Sequence, residues 1–346
     1  MGQKFYDVVR KFVVKNADFK AFLGLFISIF LLWLTFHNSG LTISNVRLDR
    51  EQVYYFTASI GVFIVSVWVS SIRAKLVWLD RTKNLEDVHT LSSLIVGGFY
   101  NCLLPGNLGE GMRAWHFSRK NKVPFSRSLA AILAEKWLDA QMFVLCAIVL
   151  YLLKPFISHF ILYSIFLTAS IVVILFIIYN LIRRSRVAEK KIWHLIFRFQ
   201  KTGRFLYRLY SHTGAHLQGL KANEQIARYL LFCFVILFLN ISQFFLLLKA
   251  AGVVAPVCSF YTAFLAALSM MIIAFVPSAP SNIGVIHYGL YSTLIIASRQ
   301  YGLMPDSVNL QGFALFGVCV HLSYVVPDVL LGVIFVVKER RVVFYS

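Results

Sequence analysis

The sequence predicts an all-α polytopic membrane protein with about six spanning helices and two re-entrant helical hairpins in an inverted repeat. Three observations carry that expectation. Of 346 residues, 59% are hydrophobic and only 14% charged, where soluble domains carry about 25% charged residues. Apolar runs of spanning length recur, and Lys and Arg gather in alternate connections between them. Two further apolar stretches are broken near the middle by Pro, Gly and Asn, at Pro105 and at Pro280, 175 residues later.

The elements follow in chain order. Met1–Lys20 is polar and basic, and the apolar run Ala21–Phe36 lacks a small-residue cleavage pattern before His37, so it reads as a first anchor and not a cleaved signal. A spanning helix needs about 20 largely apolar residues. That rule marks spans at 20–37, 53–71, 128–153, 160–182, 229–251 and 311–337. The broken stretches are 90–119 and 260–298. As a helix, Leu91–Leu104 measures only about 21 Å against a hydrocarbon core of about 30 Å, which favours a hairpin returning to its own side.

Orientation follows from Lys and Arg. With a cytoplasmic N-terminus the inner segments are 1–20, 72–89, 119–127, 183–228 and 338–346, and they hold 27 of the 34 basic residues. Five lie outside (Arg47, Arg50, Lys154, Lys249, Arg299), and Arg113 and Lys136 fall within membrane segments. Both termini are therefore expected in the cytoplasm, in an inner or plasma membrane. The net charge of +19 is read as membrane orientation, not as a nucleic-acid surface, because the basic residues lie in connections between apolar segments. Five widely spaced cysteines (Cys102, Cys146, Cys233, Cys258, Cys319) suggest neither a disulfide framework nor a metal cluster. No metal or cofactor is expected.

The whole chain, 1–346, reads as one membrane domain built from two repeats. Repeat one covers 20–153 with its hairpin at 90–119, and repeat two covers 160–337 with its hairpin at 260–298. Pro105-Gly106-Asn107-Leu108-Gly109 returns in altered form as Pro280-Ser281-Asn282-Ile283-Gly284. The order span, span, hairpin, span is then run twice with every element reversed. Transporters built this way place their sites where interrupted helices meet near the midplane. The plainer alternative is a Pro/Gly turn joining two helices.

The run Asn101–Arg113 (NCLLPGNLGEGMR), the segment Glu135–Asp139 (EKWLD) and Pro277–Val285 (PSAPSNIGV) together resemble the lysylphosphatidylglycerol synthase transmembrane region, or flippase-like domain, over nearly the whole chain. The resemblance implies a polytopic bundle that moves, or presents for modification, a lipid with a polar headgroup. In bifunctional synthases of that family, such a region flips aminoacylated phosphatidylglycerol made by an attached transferase domain. Here the chain ends at Ser346 just after the last span, so no aminoacyl transfer is expected. The second motif departs from the family pattern Pro-Gly-Gly-x-Gly-x-Arg-Glu: Ser281 and Asn282 replace glycines, and Ile286 and His287 stand at the Arg and Glu.

Ionisable side chains at membrane depth cost roughly 2.5–3.5 kcal/mol on insertion scales and usually face a partner or a wet cavity. Counting about 1.5 Å per residue from the inner interface, Glu110 lies about 14 Å deep, Arg113 about 9 Å, Glu135 about 11 Å, Asp139 about 17 Å and Asp328 about 15 Å. Glu110 and Arg113 share one helical face, as do Glu135 and Asp139, with Lys136 turned away. These charges form either a buried ion-pair network or a site. The half-helix after Pro105-Gly106-Asn107 presents free N–H groups and a positive dipole, which suit an anion. A lipid phosphate is expected there, on the amides of Asn107, Leu108 and Gly109 and on Arg113, whose planar fork suits phosphate. Glu110, Glu135 and Asp139 would meet a cationic headgroup group or exchange protons, and Lys136 beside them is counted in the candidate substrate-binding set. From the second hairpin and last span, Asn282, Gly284, His287 and Asp328 complete the candidate substrate-binding set, with His287 either a proton relay or a hydrogen-bonded core histidine.

The connection 183–228 interleaves eleven Lys and Arg residues with apolar ones such as Ile192, Leu195, Phe199 and Leu206. It is expected to be a basic amphipathic helix lying on an anionic leaflet, or else a solvated connector. It carries no acid–base constellation or phosphate-cradling loop. The expected function is lipid translocation without catalysis. The alternative is an intramembrane accessory or transferase acting on a lipid-linked substrate, since carboxylates at depth can also act as acid and base.

Overall fold

A computed structural model describes residues 24–42, 49–78, 87–104, 108–153, 200–222, 225–273, 278–303 and 308–344. Among these residues there is no strand. A lipid interior offers no water to backbone N–H and C=O groups, and a helix satisfies them within its own segment. The helices are α1 (Gly24–Ser39), α2 (Arg50–Val77), α3 (Asp87–Leu103), α4 (Gly109–Lys120), α5 (Phe125–Leu153), α6 (Gln200–Ala222), α7 (Ile226–Ala250), α8 (Phe260–Ile273), α9 (Val285–Gln300) and α10 (Leu310–Phe344).

Three described helices are long and apolar enough to cross a membrane: α2, α7 and the Leu310–Phe335 part of α10. They coincide with the expected spans 53–71, 229–251 and 311–337. The protein is a multi-pass membrane protein. Many large apolar side chains face outward, among them Phe26 and Trp33 on α1, Trp68 on α2, Leu231 and Phe238 on α7 and Leu330 on α10, a pattern suited to lipid and not to water. The first anchor is a shorter apolar helix, α1. The expected span 160–182 and the part 183–199 of the basic connection lie outside the described residues.

Side-chain chemistry sets the starts of two helices. Asp49 and Gln52 cap α2 reciprocally, Asp49 Oδ1 accepting from the Gln52 N–H at 2.7 Å and Gln52 Oε1 from the Asp49 N–H at 3.0 Å. Asn309 caps α10 through the Gly312 N–H at 2.9 Å. At its other end α2 continues to Val77, six residues past the expected limit of its span. Arg73 and Lys75 interrupt the apolar run there, but not the helix.

Both broken stretches are helical hairpins. In the first, His89 near the start of α3 meets Asn121 just past α4 at 3.2 Å, and Asn101 near the end of α3 accepts from the Gly109 N–H at the start of α4 at 2.8 Å. The arms therefore run antiparallel. In the second, the Tyr261 hydroxyl donates to Gln300 Oε1 at 3.1 Å, Ser259 pairs with Tyr301 at 3.0 Å, and Thr293 donates to Ser269 at 2.9 Å, again an antiparallel pair. Arms of 17 and 12 residues, then 14 and 16, span about 26, 18, 21 and 24 Å, each short of a hydrocarbon core of about 30 Å.

The chain gathers into two compact units. One comprises 1–64, 98–109 and 240–346, the other 65–97 and 110–239. This division interleaves along the chain. In the first unit α8, α9 and α10 pack around Phe244, Leu247, Leu290, Leu294, Phe313 and Phe316. In the second, α5 packs on α6, and Ala114, Phe117, Ala131, Ile132 and Tyr229 form the core. On α6, Thr213 donates to the Ala130 carbonyl at 3.4 Å, His216 Nδ1 lies 2.9 Å from the Val77 carbonyl, and Phe205 stacks on Phe125. The described half of the basic connection thus docks one face on protein while Arg204, Leu206, Tyr207 and Arg208 stay exposed.

Candidate functional site

In the second unit six charged side chains from three helices form one chain of ion pairs. Arg73 of α2 grips Asp139 with both terminal nitrogens, at 2.6 and 3.2 Å, and reaches Glu135 Oε1 at 3.1 Å. Arg113 of α4 takes the other Glu135 oxygen at 2.8 Å and Glu110 Oε2 at 3.4 Å. Lys136 closes the chain on Glu110 Oε1 at 2.8 Å. The order is Asp139, Arg73, Glu135, Arg113, Glu110, Lys136, with signs alternating and no net charge.

Helical spacing explains the geometry. Glu110 and Arg113 lie three apart on α4, and Glu135 and Asp139 four apart on α5, so each pair shares a face. The middle of the chain is dry, with Arg113 and Glu135 side chains each 3% exposed, while Lys136 at the end is 51% exposed. Tyr229 offers its ring to Arg73 at 5.4 Å. The Nε atoms of Arg73 and Arg113 are buried without a hydrogen-bond partner.

The sequence reading put Glu110, Arg113, Glu135, Asp139 and Asp328 in one layer with Lys136 turned away; the structure joins the first four, brings Lys136 in through Glu110, and among the described residues gives Asp328 no ion pair with them. Arg73 was missed, having been assigned to the connection 72–89. Charge balance was the available signal: four carboxylates at that depth, Glu110, Glu135, Asp139 and Asp328, faced only Arg113 and Lys136, and a further cation was due. The proposed phosphate contact also needs a change of view. Arg113 spends its guanidinium on two carboxylates here, so an anion reaches it only when the Glu135 pair opens.

In the first unit, residues of both broken motifs line one cavity of about 230 Å³. Asn101 and Cys102 come from α3, Ser281 and Asn282 from the turn Pro280–Asn282, and His321 and Asp328 from α10. Gly98 makes room: a Cβ there would lie 2.6 Å from Asp328 Oδ1. Ser281 and Asn282 hold φ values of +61° and +54°, a left-handed backbone that Asn tolerates and Ser rarely adopts. The turn is tied down by the Ser278 hydroxyl, which donates to Asn282 Oδ1, and by Ser28 of α1, which accepts from the Ala279 N–H at 3.0 Å.

Of the other candidates, Gly284 (φ +79°) packs against the Ser28 backbone so closely that no side chain fits, a positioning role. His287 accepts from the Gly284 N–H at 3.3 Å and lies with its ring 5.1 Å from that of His321. Leu108 is exposed, the Gly109 N–H is held by Asn101, and Asn107 lies outside the described residues. Sequence reasoning missed Asn101, Cys102 and Ser281 as cavity residues, although all three stood inside the quoted motifs.

The fold and the two sites define a multi-pass helical membrane protein with two helical hairpins, a buried charge network and a cavity lined by Asn, Ser, His and Asp side chains. The family model of the lysylphosphatidylglycerol synthase TM region matches residues 21–320, and the chain belongs to that family. No curated protein and no solved structure matches it significantly.

Proposed function

We propose that the protein translocates a polar-headgroup phospholipid or lipid-linked precursor across the inner membrane by alternating access, with both termini cytoplasmic and the basic connection 183–228 resting on the anionic leaflet. The observation that supports this reading best is the shared cavity: Asn101 of one broken motif and Ser281 and Asn282 of the other line it together. Short hairpin arms and an intramembrane polar cavity are the parts from which such transporters are built. In this reading the hairpins are re-entrant and belong to inverted repeats. The Glu135–Arg113 pair serves as a latch. When it opens, Arg113 is freed for the lipid phosphate and Glu135 for a cationic group or a proton.

The proposed process changes which leaflet exposes the lipid and leaves its covalent structure alone. The test reconstitutes the full chain in vesicles carrying a headgroup-labelled phospholipid, follows its exposure to an impermeant quencher, and takes the lipid's mass before and after. Leaflet exchange at least about tenfold above protein-free vesicles, with mass unchanged, is the expected result. A changed lipid mass supports the transferase alternative instead.

A further inference from the structure

Asp328 stands apart from the other carboxylates. Among the described residues it has no hydrogen bond and no ion pair, whereas Glu110, Glu135 and Asp139 are all matched by cations. It lies within the membrane-spanning part of α10, directly after Pro327, and beyond residue 320, where the family match ends. The titratable groups around its cavity are Cys102 from α3 and His321 and Tyr324 from α10, with His287 of α9 beside His321. Met270 comes from α8, Ile286 from α9 and Ser281 and Asn282 from the turn, and among the described residues no Lys or Arg lines the cavity.

We propose that Asp328 is a proton-binding site through which the cavity couples lipid movement to a proton. The carboxylate accepts H⁺ from water when the cavity faces one side, and the same O–H bond breaks to water when it faces the other. His321 lines the same cavity, and a proton moving between it and Asp328 travels through water in that cavity. The His321 Nδ1 is buried without a partner, and His321 lies seven residues, two helical turns, from Asp328 on the same face, about 10 Å along the axis. A metal cation is poorly served here. Asn101 Oδ1 already accepts from Gly109 and Asn282 Oδ1 from Ser278, which leaves the carboxylate and the Ser281 hydroxyl as the ready oxygens, where hard cations take about six.

The coupling rests on the translocation reading, but the protonation does not, and infrared difference spectroscopy separates them. The full chain in detergent is taken from about pH 8 to about pH 5, a range across which a solvated Asp, titrating near 3.9, stays ionised. A protonated-carboxyl band should appear in wild type, vanish in Asp328→Asn, and change frequency in Gly98→Ala, where the added methyl group displaces the carboxylate. Should Asp328→Asn fail to fold, Asp328→Glu must keep the band at a shifted frequency. A band unaltered in Asp328→Asn or Asp328→Glu, no band in wild type, or a band abolished by sodium at fixed pH overturns the proposal. In vesicles, a pH gradient should then speed leaflet exchange in wild type and have no effect on Asp328→Asn. Exchange that ignores the gradient in wild type overturns the coupling. If the band behaves as expected but no exchange occurs under any condition, the translocation reading fails and the protonation site stands.

Discussion

Glu135 is the residue on which the second unit's charges turn. Each of its oxygens holds a different arginine, so Glu135→Gln removes the shared charge and leaves Arg73 with Asp139 and Arg113 with only the longer contact to Glu110 at 3.4 Å. Removing one member of a buried pair costs about 3–5 kcal/mol because the other charge stays desolvated. Thermal unfolding in detergent should register a loss of that order. Lys136→Ala removes a half-exposed partner and should cost less than about 1 kcal/mol; equal effects would mean that the network is not the buried chain described. Much of this was legible beforehand, because i,i+3 and i,i+4 spacings put the carboxylates on common faces. Arg73 was not, since hydropathy alone ends a span at the first charge, while a paired arginine can stay inside the helix that carries it.

At the scale of elements, the hairpins were readable from their Pro, Gly and Asn breaks, and the hydrogen bonds between arms bear out the antiparallel fold. Their depth is what distinguishes a re-entrant hairpin from two full crossings. With the five native cysteines replaced, Ser259→Cys and Pro280→Cys should differ: the first reacts with an impermeant thiol reagent from one side, the second from neither side rapidly. Labelling of Pro280→Cys from the opposite face would establish two crossings. The docking of α6 was not legible, because its contacts at Ala130 and Val77 join segments far apart in sequence. It carries a pH dependence. Burial holds the His216 imidazole below its ordinary value, with Arg127 adding to the effect and the Val77 carbonyl opposing it. The native state therefore favours neutral His216, and its contribution is fully present above about pH 6.5 and lost as pH falls through the lowered value. The unfolding temperature should drop between about pH 7.5 and about pH 5, and the drop should shrink in His216→Gln, though not vanish, because His212 is shifted the same way by burial and by Arg127 and Arg208.

For the whole molecule, composition and charge placement foretold the membrane class, and the quoted motifs foretold the family. The pairing of motif residues in one cavity required the fold, since nothing in the spacing of Asn101, Asn282 and Asp328 says that α3, the second turn and α10 converge. That cavity is the centre of the account, and Cys102 on its wall offers a native handle. In a variant that keeps Cys102 as its sole cysteine, a bulky disulfide-forming reagent should slow leaflet exchange in vesicles by about tenfold or more. Reduction should restore the rate, and saturating lipid should protect the thiol. Full exchange with Cys102 quantitatively modified would contradict the account, because the lipid headgroup would then be crossing somewhere other than this cavity.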